Sequence, residues 1–229
     1  MRRKIQAELL DEDLGTAAEI ASSLVDLRGI NARFGGTSTT LHLLKRVVAD
    51  CDCRELSLLE VAAGAGDVSL AAQRHLAQQG INLRVTLLDR MVSHLNAAAA
   101  TAVCADALHL PFRDNAFDVV SCSLFAHHLE PDDLRQFVRD ALRTCRRAVV
   151  INDLIRSRLH LCLVYAALPL FRSRLTRHDA PVSVRRAYTI GEMHHLLQDV
   201  PNSRVEISRH PLYRMGVLVW KEQQLAVST

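Results

Sequence analysis

No charge of one sign dominates this 229-residue chain: 28 lysines and arginines stand against 25 aspartates and glutamates, leaving +3 with histidine neutral. That balance is too even to point to nucleic acid. No repeat, low-complexity tract or linker divides it, so a single domain over 1–229 is expected. No CxxC pair occurs among Cys51, Cys53, Cys104, Cys122, Cys145 and Cys162, and no secretory leader is read ahead of them. Reduced, buried thiols in the cytoplasm are the expectation. Cys51-Asp52-Cys53 has no Cys/His pair at zinc-like spacing to complete a site. The most apolar run, near 159–171, is shorter than the about 20 residues a bilayer requires.

The chain is 49% hydrophobic, enough for a full core. Ile5, Leu9, Leu10, Leu14, Ala17, Ile20, Leu24 and Leu27 recur at helical spacing with a break at 11–15, which predicts two short amphipathic helices. Another helix is predicted over 39–49, after Gly35-Gly36. From residue 55 the pattern alternates. Strands are predicted over 56–62, 84–88, 102–105, 117–123, 148–152, 204–208 and 217–221, and helices over 67–79, 91–99, 131–144 and 191–197. Thr189 and Glu192 form a capping box, and Pro131 with Asp132 and Asp133 suits a first helical turn. Repeated βα units predict an α/β, Rossmann-like, doubly wound seven-stranded sheet, mostly parallel with its last strand antiparallel, and helices on both faces. Ligands in such sheets collect at the carboxyl ends of the strands.

Chemistry-bearing residues stand at those ends. Strand one closes on Glu60-Val61-Ala62-Ala63-Gly64-Ala65-Gly66-Asp67, an acid followed by a glycine turn and a helix start. Glycine there permits positive φ and close approach of a ligand. Asp89 closes strand two, where a carboxylate can accept both hydroxyls of a ribose. Asp106 closes strand three and can take an adenine amine, with Met91, Ala107 and Leu108 as apolar neighbours for the ring. Strand four runs through Ser123 into His127-His128, and strand five ends at Asn152-Asp153.

With these residues, the stretch from Leu56 to Asp153 resembles the class I S-adenosylmethionine-dependent methyltransferases, especially bacterial enzymes acting on phenolic, polyketide-like or quinone-like molecules. Leu87-Leu88-Asp89, Ala105-Asp106-Ala107, Leu110-Pro111-Phe112-Arg113-Asp114 and His127-His128-Leu129 add to the glycine turn. The resemblance implies S-adenosyl-L-methionine as cofactor, held by Glu60, Ala62, Gly64, Gly66, Asp89, Arg90, Met91, Asp106, Ala107 and Ser123. Ala62 stands where the family usually has its first glycine. The resemblance also divides the chain into a helical cap (1–50), a cofactor-binding core (51–155), a lid insertion (156–188) and a C-terminal helix with strands (189–229).

A nicotinamide dehydrogenase shares the architecture, but its third glycine would fall at Ser69, and Asp67 would repel a pyrophosphate. Methyl transfer to a hydroxyl needs positioning and a base. His127 and His128, assisted by Asp153, are the candidates, with packing beside the cofactor as the plain alternative. Asn152, Tyr165, His178 and Tyr188 are the candidate substrate contacts. Asn152 and Asp153 resemble ligands of magnesium-dependent catechol methyltransferases, which also need an acid after strand four. Residues 121–126 hold none, so no metal is expected. The expected activity is methylation, on oxygen, of a small, largely apolar phenolic or polyketide-like acceptor. The alternatives are a non-catalytic binding or regulatory module of the same fold and a C- or N-methyltransferase of a quinone-like metabolite. A monomer or homodimer, with weak membrane-surface contact through the apolar insertion and its arginines, completes the expectation.

Overall fold

Continuously apolar strands fold only where both faces are covered, and the central strands here are of that kind. The computed structural model describes residues 1–12, 14–95 and 97–222. Its sheet contains β1 (Glu55–Val61), β2 (Asn82–Asp89), β3 (Thr101–Cys104), β4 (Phe117–Ser123), β5 (Cys145–Leu154), β6 (Ser203–His210) and β7 (Arg214–Lys221). The strand order is β3-β2-β1-β4-β5-β7-β6. β1 to β5 run parallel, and β7 inserts antiparallel between β5 and β6. One face buries Leu59, Val61, Val120 and Val149 against Phe137 of α4 (Pro131–Thr144) and Met193 of α7 (Ile190–Leu197). The other buries Leu58, Val119 and Val150 against Leu43 and Leu44 of α2 (Gly36–Cys51) and Leu76 of α3 (Asp67–Ala77).

Three stretches differ from the pattern reading. The region predicted as a helix over 91–99 contains a 3₁₀ turn at Val92–His94. Asp89 Oδ1 accepts from Met91 N at 2.9 Å, Met91 is extended, and Val92 is exposed. A short helix without a buried face lacks the packing that sustains it. Asn96 lies outside the described residues. At the N-terminus, residues 1–8 carry no helix, and a single helix, α1 (Ala17–Arg33), begins at a capping box of Thr16 and Glu19. The insertion is two helices rather than one: α5 (Arg158–Ala167) and α6 (Arg174–Arg186), joined through a 3₁₀ turn at Leu168–Leu170.

The cysteines also depart from expectation. Cys51 and Cys53 pair in a disulfide, and Cys104 and Cys162 are exposed. No helix among the described residues is long and apolar enough to cross a membrane.

Candidate active site

Glu60 is the last residue but one of β1, in register with Leu87 of β2 and Ser121 of β4. Only 2% of it is exposed, and the Ser121 hydroxyl donates to its carboxylate. Burial pushes its pKa up to about 7, with Ser121 and Ser123 opposing. After it the chain turns sharply through Ala62 (φ 52), Gly64 (φ 51) and Gly66 (φ 75). A Cβ on Gly66 would stand 2.8 Å from Leu87, whereas one on Gly64 would meet nothing within 4 Å. Gly66 is therefore required by packing, and Gly64 leaves open space beside the cradle. Asp89 closes the turn from below: its Oδ2 accepts from Gly64 N at 2.8 Å.

This turn forms one wall of a cavity of about 470 Å³. Glu60, Ala62, Gly64, Gly66 and Ser123 line it, as do His127 and His128. The remaining wall is mainly apolar and comes from Leu24, Leu27 and Phe34 around α1, Leu163 and Val164 of α5, and Val184 of α6. Four non-glycine residues with positive φ face this space: Ala62, Leu124 (φ 56), Leu212 (φ 58) and Tyr213 (φ 58). Left-handed backbone costs of order 1–3 kcal/mol at such residues and gathers at ligand sites.

The histidine pair has more partners than its spacing reveals. His127 Nδ1 lies 2.7 Å from Asp153 Oδ1, and its Nε2 lies 3.4 Å from Glu8 Oε1. Burial disfavours charge on this ring, yet Asp153 and Glu8 prevail and push its pKa up to about 10. The two carboxylates thus favour a positive charge at this ring. Asp153 is buried and accepts from His127 N, His127 Nδ1 and Leu154 N, so it braces the ring from outside the cavity lining. His128 Nδ1 lies 2.6 Å from Asp11 Oδ2. Glu8 and Asp11 sit on the N-terminal segment, more than a hundred residues away in sequence; nothing in its pattern marks them as site residues.

His160 is a further residue that the pattern did not single out. It lines the cavity from α5, stacks on Tyr213 at 4.9 Å, and its Nδ1 lies 3.0 Å from the Ile155 carbonyl. The carbonyl can only accept, so Nδ1 carries the hydrogen and Nε2 is left as an acceptor. Burial lowers the pKa of His160, aided by Arg214, and keeps the ring neutral. Arg214, 1% exposed, donates to Phe34 O and Asn31 Oδ1, while its Nη1 has no partner among the described residues.

Several expected contacts lie outside the cavity lining. Asn152 is buried and donates to Gly36 O and Thr40 Oγ1, joining β5 to α2. Tyr188 donates to Leu129 O beneath the Arg3 guanidinium. Tyr165 is 44% exposed and accepts from Arg185, and His178 pairs with Asp179. Their polar atoms make these contacts within the fold, while Asn152 Oδ1 has no partner among the described residues. Arg90 donates to Asp11 O, tying down the N-terminal segment. Asp106, followed by Ala107, accepts from Leu108 N and pairs with His109 in an exposed loop.

Residues 59–151 match the profile of a family described as a methyltransferase domain. That stretch carries the match to a methyltransferase domain, and the fold around it is the one seen in S-adenosylmethionine-dependent methyltransferases. Among solved structures, this chain resembles plantazolicin methyltransferase BpumL in complex with SAH (13% identity, TM-score 0.67, covering 94% of this chain and 95% of that one). Magnesium protoporphyrin IX methyltransferase (ChlM) from Synechocystis PCC 6803 with bound SAH gives 16%, 0.55, 84% and 86%. A SAM-dependent methyltransferase from Aquifex aeolicus gives 17%, 0.54, 77% and 88%. At these identities the likeness is one of fold. A search of curated proteins matched none.

Proposed function

We propose that this methyltransferase moves the methyl group of S-adenosylmethionine to an acidic hydroxyl on a small, largely apolar phenolic or polyketide-like molecule. The observation that carries the reading is one cavity, glycine cradle at one end, apolar helices at the other, with a neutral histidine in its wall.

The cradle fits the donor. Glu60 offers a buried carboxylate to its cationic amino acid end, Gly64 leaves room beside it, and no phosphate has to meet Asp67. Asp89, Arg90, Met91, Asp106 and Ala107 stand along the neighbouring strand ends, beyond the cavity, for the ribose and adenine. When bound, the donor supplies a reactive methyl sulfonium. The chain's own residues do the rest. The apolar helix walls exclude water and hold the acceptor in line. His160 Nε2 takes the hydroxyl proton. His127, fixed by Asp153 and Glu8, shapes the cavity wall instead of accepting the proton.

In this reading the whole chain works as one unit, with α1 as the cap and α5 and α6 as the lid over the acceptor. Four free thiols suit a cytoplasmic setting, although the Cys51–Cys53 pair does not. A monomer or homodimer is retained, with exposed Leu159, Leu163 and Leu170 available for weak contact with a membrane surface. Carbon or nitrogen acceptors on a quinone-like or other small metabolite are the alternative. Calorimetry with S-adenosylhomocysteine tests the donor site; no binding by the wild type, or undiminished binding by Asp89→Ala, would sink it. A radiolabelled-methyl assay over phenols, quinones and amines tests the acceptor. Transfer to amines alone, or no loss of phenol methylation in His160→Gln, would overturn the hydroxyl mechanism.

A further inference from the structure

Neither Cys51-Asp52-Cys53 nor the strand ends supply a complete set of metal ligands in the sequence. The fold brings in a residue from elsewhere. Glu8 reaches across from the N-terminal segment and places its carboxylate against both members of the His127-His128 pair. We propose that Glu8, His127 and His128 form a binding site for one divalent transition-metal ion of the zinc type, open to the cavity.

The distances suit a ligand set. Glu8 Oε1 lies 3.4 Å from His127 Nε2 and 3.8 Å from His128 Nε2. The second exceeds the about 2.7–3.2 Å of an N–H···O hydrogen bond. Two ligands about 2.1 Å from a tetrahedral ion stand about 3.4 Å apart. The three ligand atoms lie within 4.8 Å of one another, so small side-chain rotations would bring them around one ion.

The far side of each ring supports the same assignment. His127 Nδ1 is held by Asp153 Oδ1 at 2.7 Å and His128 Nδ1 by Asp11 Oδ2 at 2.6 Å. A carboxylate on Nδ1 fixes the tautomer that leaves Nε2 as a lone-pair donor, the arrangement that orients histidine ligands in metal sites. Both Nε2 atoms face the shared carboxylate. Glu8 is itself positioned by the Ser183 hydroxyl at 2.8 Å. Three carboxylates, Glu8, Asp11 and Asp153, converge on two imidazoles, and a dication supplies the missing positive charge without protonating either ring. Two imidazoles and one carboxylate favour zinc-type ions over magnesium, which prefers oxygen ligands and water. All three ligands line the cavity, so further coordination positions would face the acceptor space. This assignment does not depend on the methyl acceptor.

The test uses the chelator-treated full chain, titrated with Zn²⁺ by calorimetry and with Co²⁺ by visible absorption. The expected result is one ion per chain, with affinity reduced about 100-fold or more in Glu8→Gln and His128→Gln, and about 10–100-fold in Asp11→Asn, which touches only the outer nitrogen. Circular dichroism and S-adenosylhomocysteine binding check that the variants fold. Protection of His127 and His128 from diethyl pyrocarbonate by Zn²⁺ in the wild type, mapped by mass spectrometry, needs no variant. No ion bound by the wild type, equal binding in the variants, or no protection would overturn the site. Failure of the wild type to bind S-adenosylhomocysteine would strike the donor reading and leave this one standing.

Discussion

A single buried carboxylate illustrates how the cradle trades stability for ligand affinity. Glu60 has a pKa of about 7 in the fold against 4.5 for the free side chain. Between these values the unfolded chain has released this proton and the folded chain retains it, so Glu60's contribution to stability falls as pH rises from about 4.5 to 7 and stays low above that. Glu60→Gln is therefore expected to stabilise the ligand-free protein at pH 8 by about 1–3 kcal/mol, with little gain at pH 4, while abolishing donor binding. Urea unfolding at the two pH values measures this; an equal effect at both would contradict it. Ala62 makes a parallel case. It adopts φ 52, a left-handed backbone that glycine takes freely. Ala62→Gly is expected to gain about 1 kcal/mol in the same assay, because glycine populates this backbone region freely. The opposite change at Gly66, whose Cβ would strike Leu87, is expected to lose more than the about 1–2 kcal/mol of the left-handed backbone alone.

At the scale of elements, the turn between β6 and β7 is built from unsuitable residues. Leu212 and Tyr213 are both left-handed, a pair of positions that hairpins normally fill with Asn-Gly. Both line the cavity, and Tyr213 stacks on His160. Replacing them with Asn-Gly is expected to raise stability by about 1–2 kcal/mol and to cut acceptor turnover, a trade common at functional sites. Thermal melts and the labelled-methyl assay read the two halves; an unchanged turnover would show that the strain serves nothing there. The central parallel sheet and the glycine turn were legible because apolar runs and Gly64-Ala65-Gly66 are local signals. The helix expected over 91–99 was not, because its fate depends on whether the sheet offers it a face. The polar cluster was half legible. His127 and His128 follow a strand end, but Glu8, Asp11, His160 and Arg214 reach the cavity only through tertiary folding, and no local pattern distinguishes them from surface charge. Asp179 shows how the N-terminal segment is held: its two oxygens accept from Leu9 N and Leu10 N at 2.8 and 3.1 Å.

Across the whole molecule, donor binding, protonation and folding are linked through Glu60. A ligand that binds only the folded state stabilises it by about 2.7 kcal/mol at a hundred times its Kd. For a chain of this size each kcal/mol raises Tm by about 2–4 °C, so saturating S-adenosylhomocysteine should raise it by about 5–11 °C. In the proposed donor site the cationic amino group of that ligand pairs with ionised Glu60. Below about pH 7 the carboxyl must first lose its proton, which lowers affinity about tenfold per pH unit, or about 1.4 kcal/mol of stabilisation at fixed ligand concentration. The melting increment should therefore shrink by about 3–6 °C on going from pH 6.5 to 5.5, remain constant above pH 8, and vanish at every pH in Glu60→Gln. Scanning fluorimetry across that range decides the matter. An increment independent of pH would mean that Glu60 does not carry the ligand's charge, and the donor's amino acid end would then have to be placed at Asp67, the cavity's other acid beside the glycine turn.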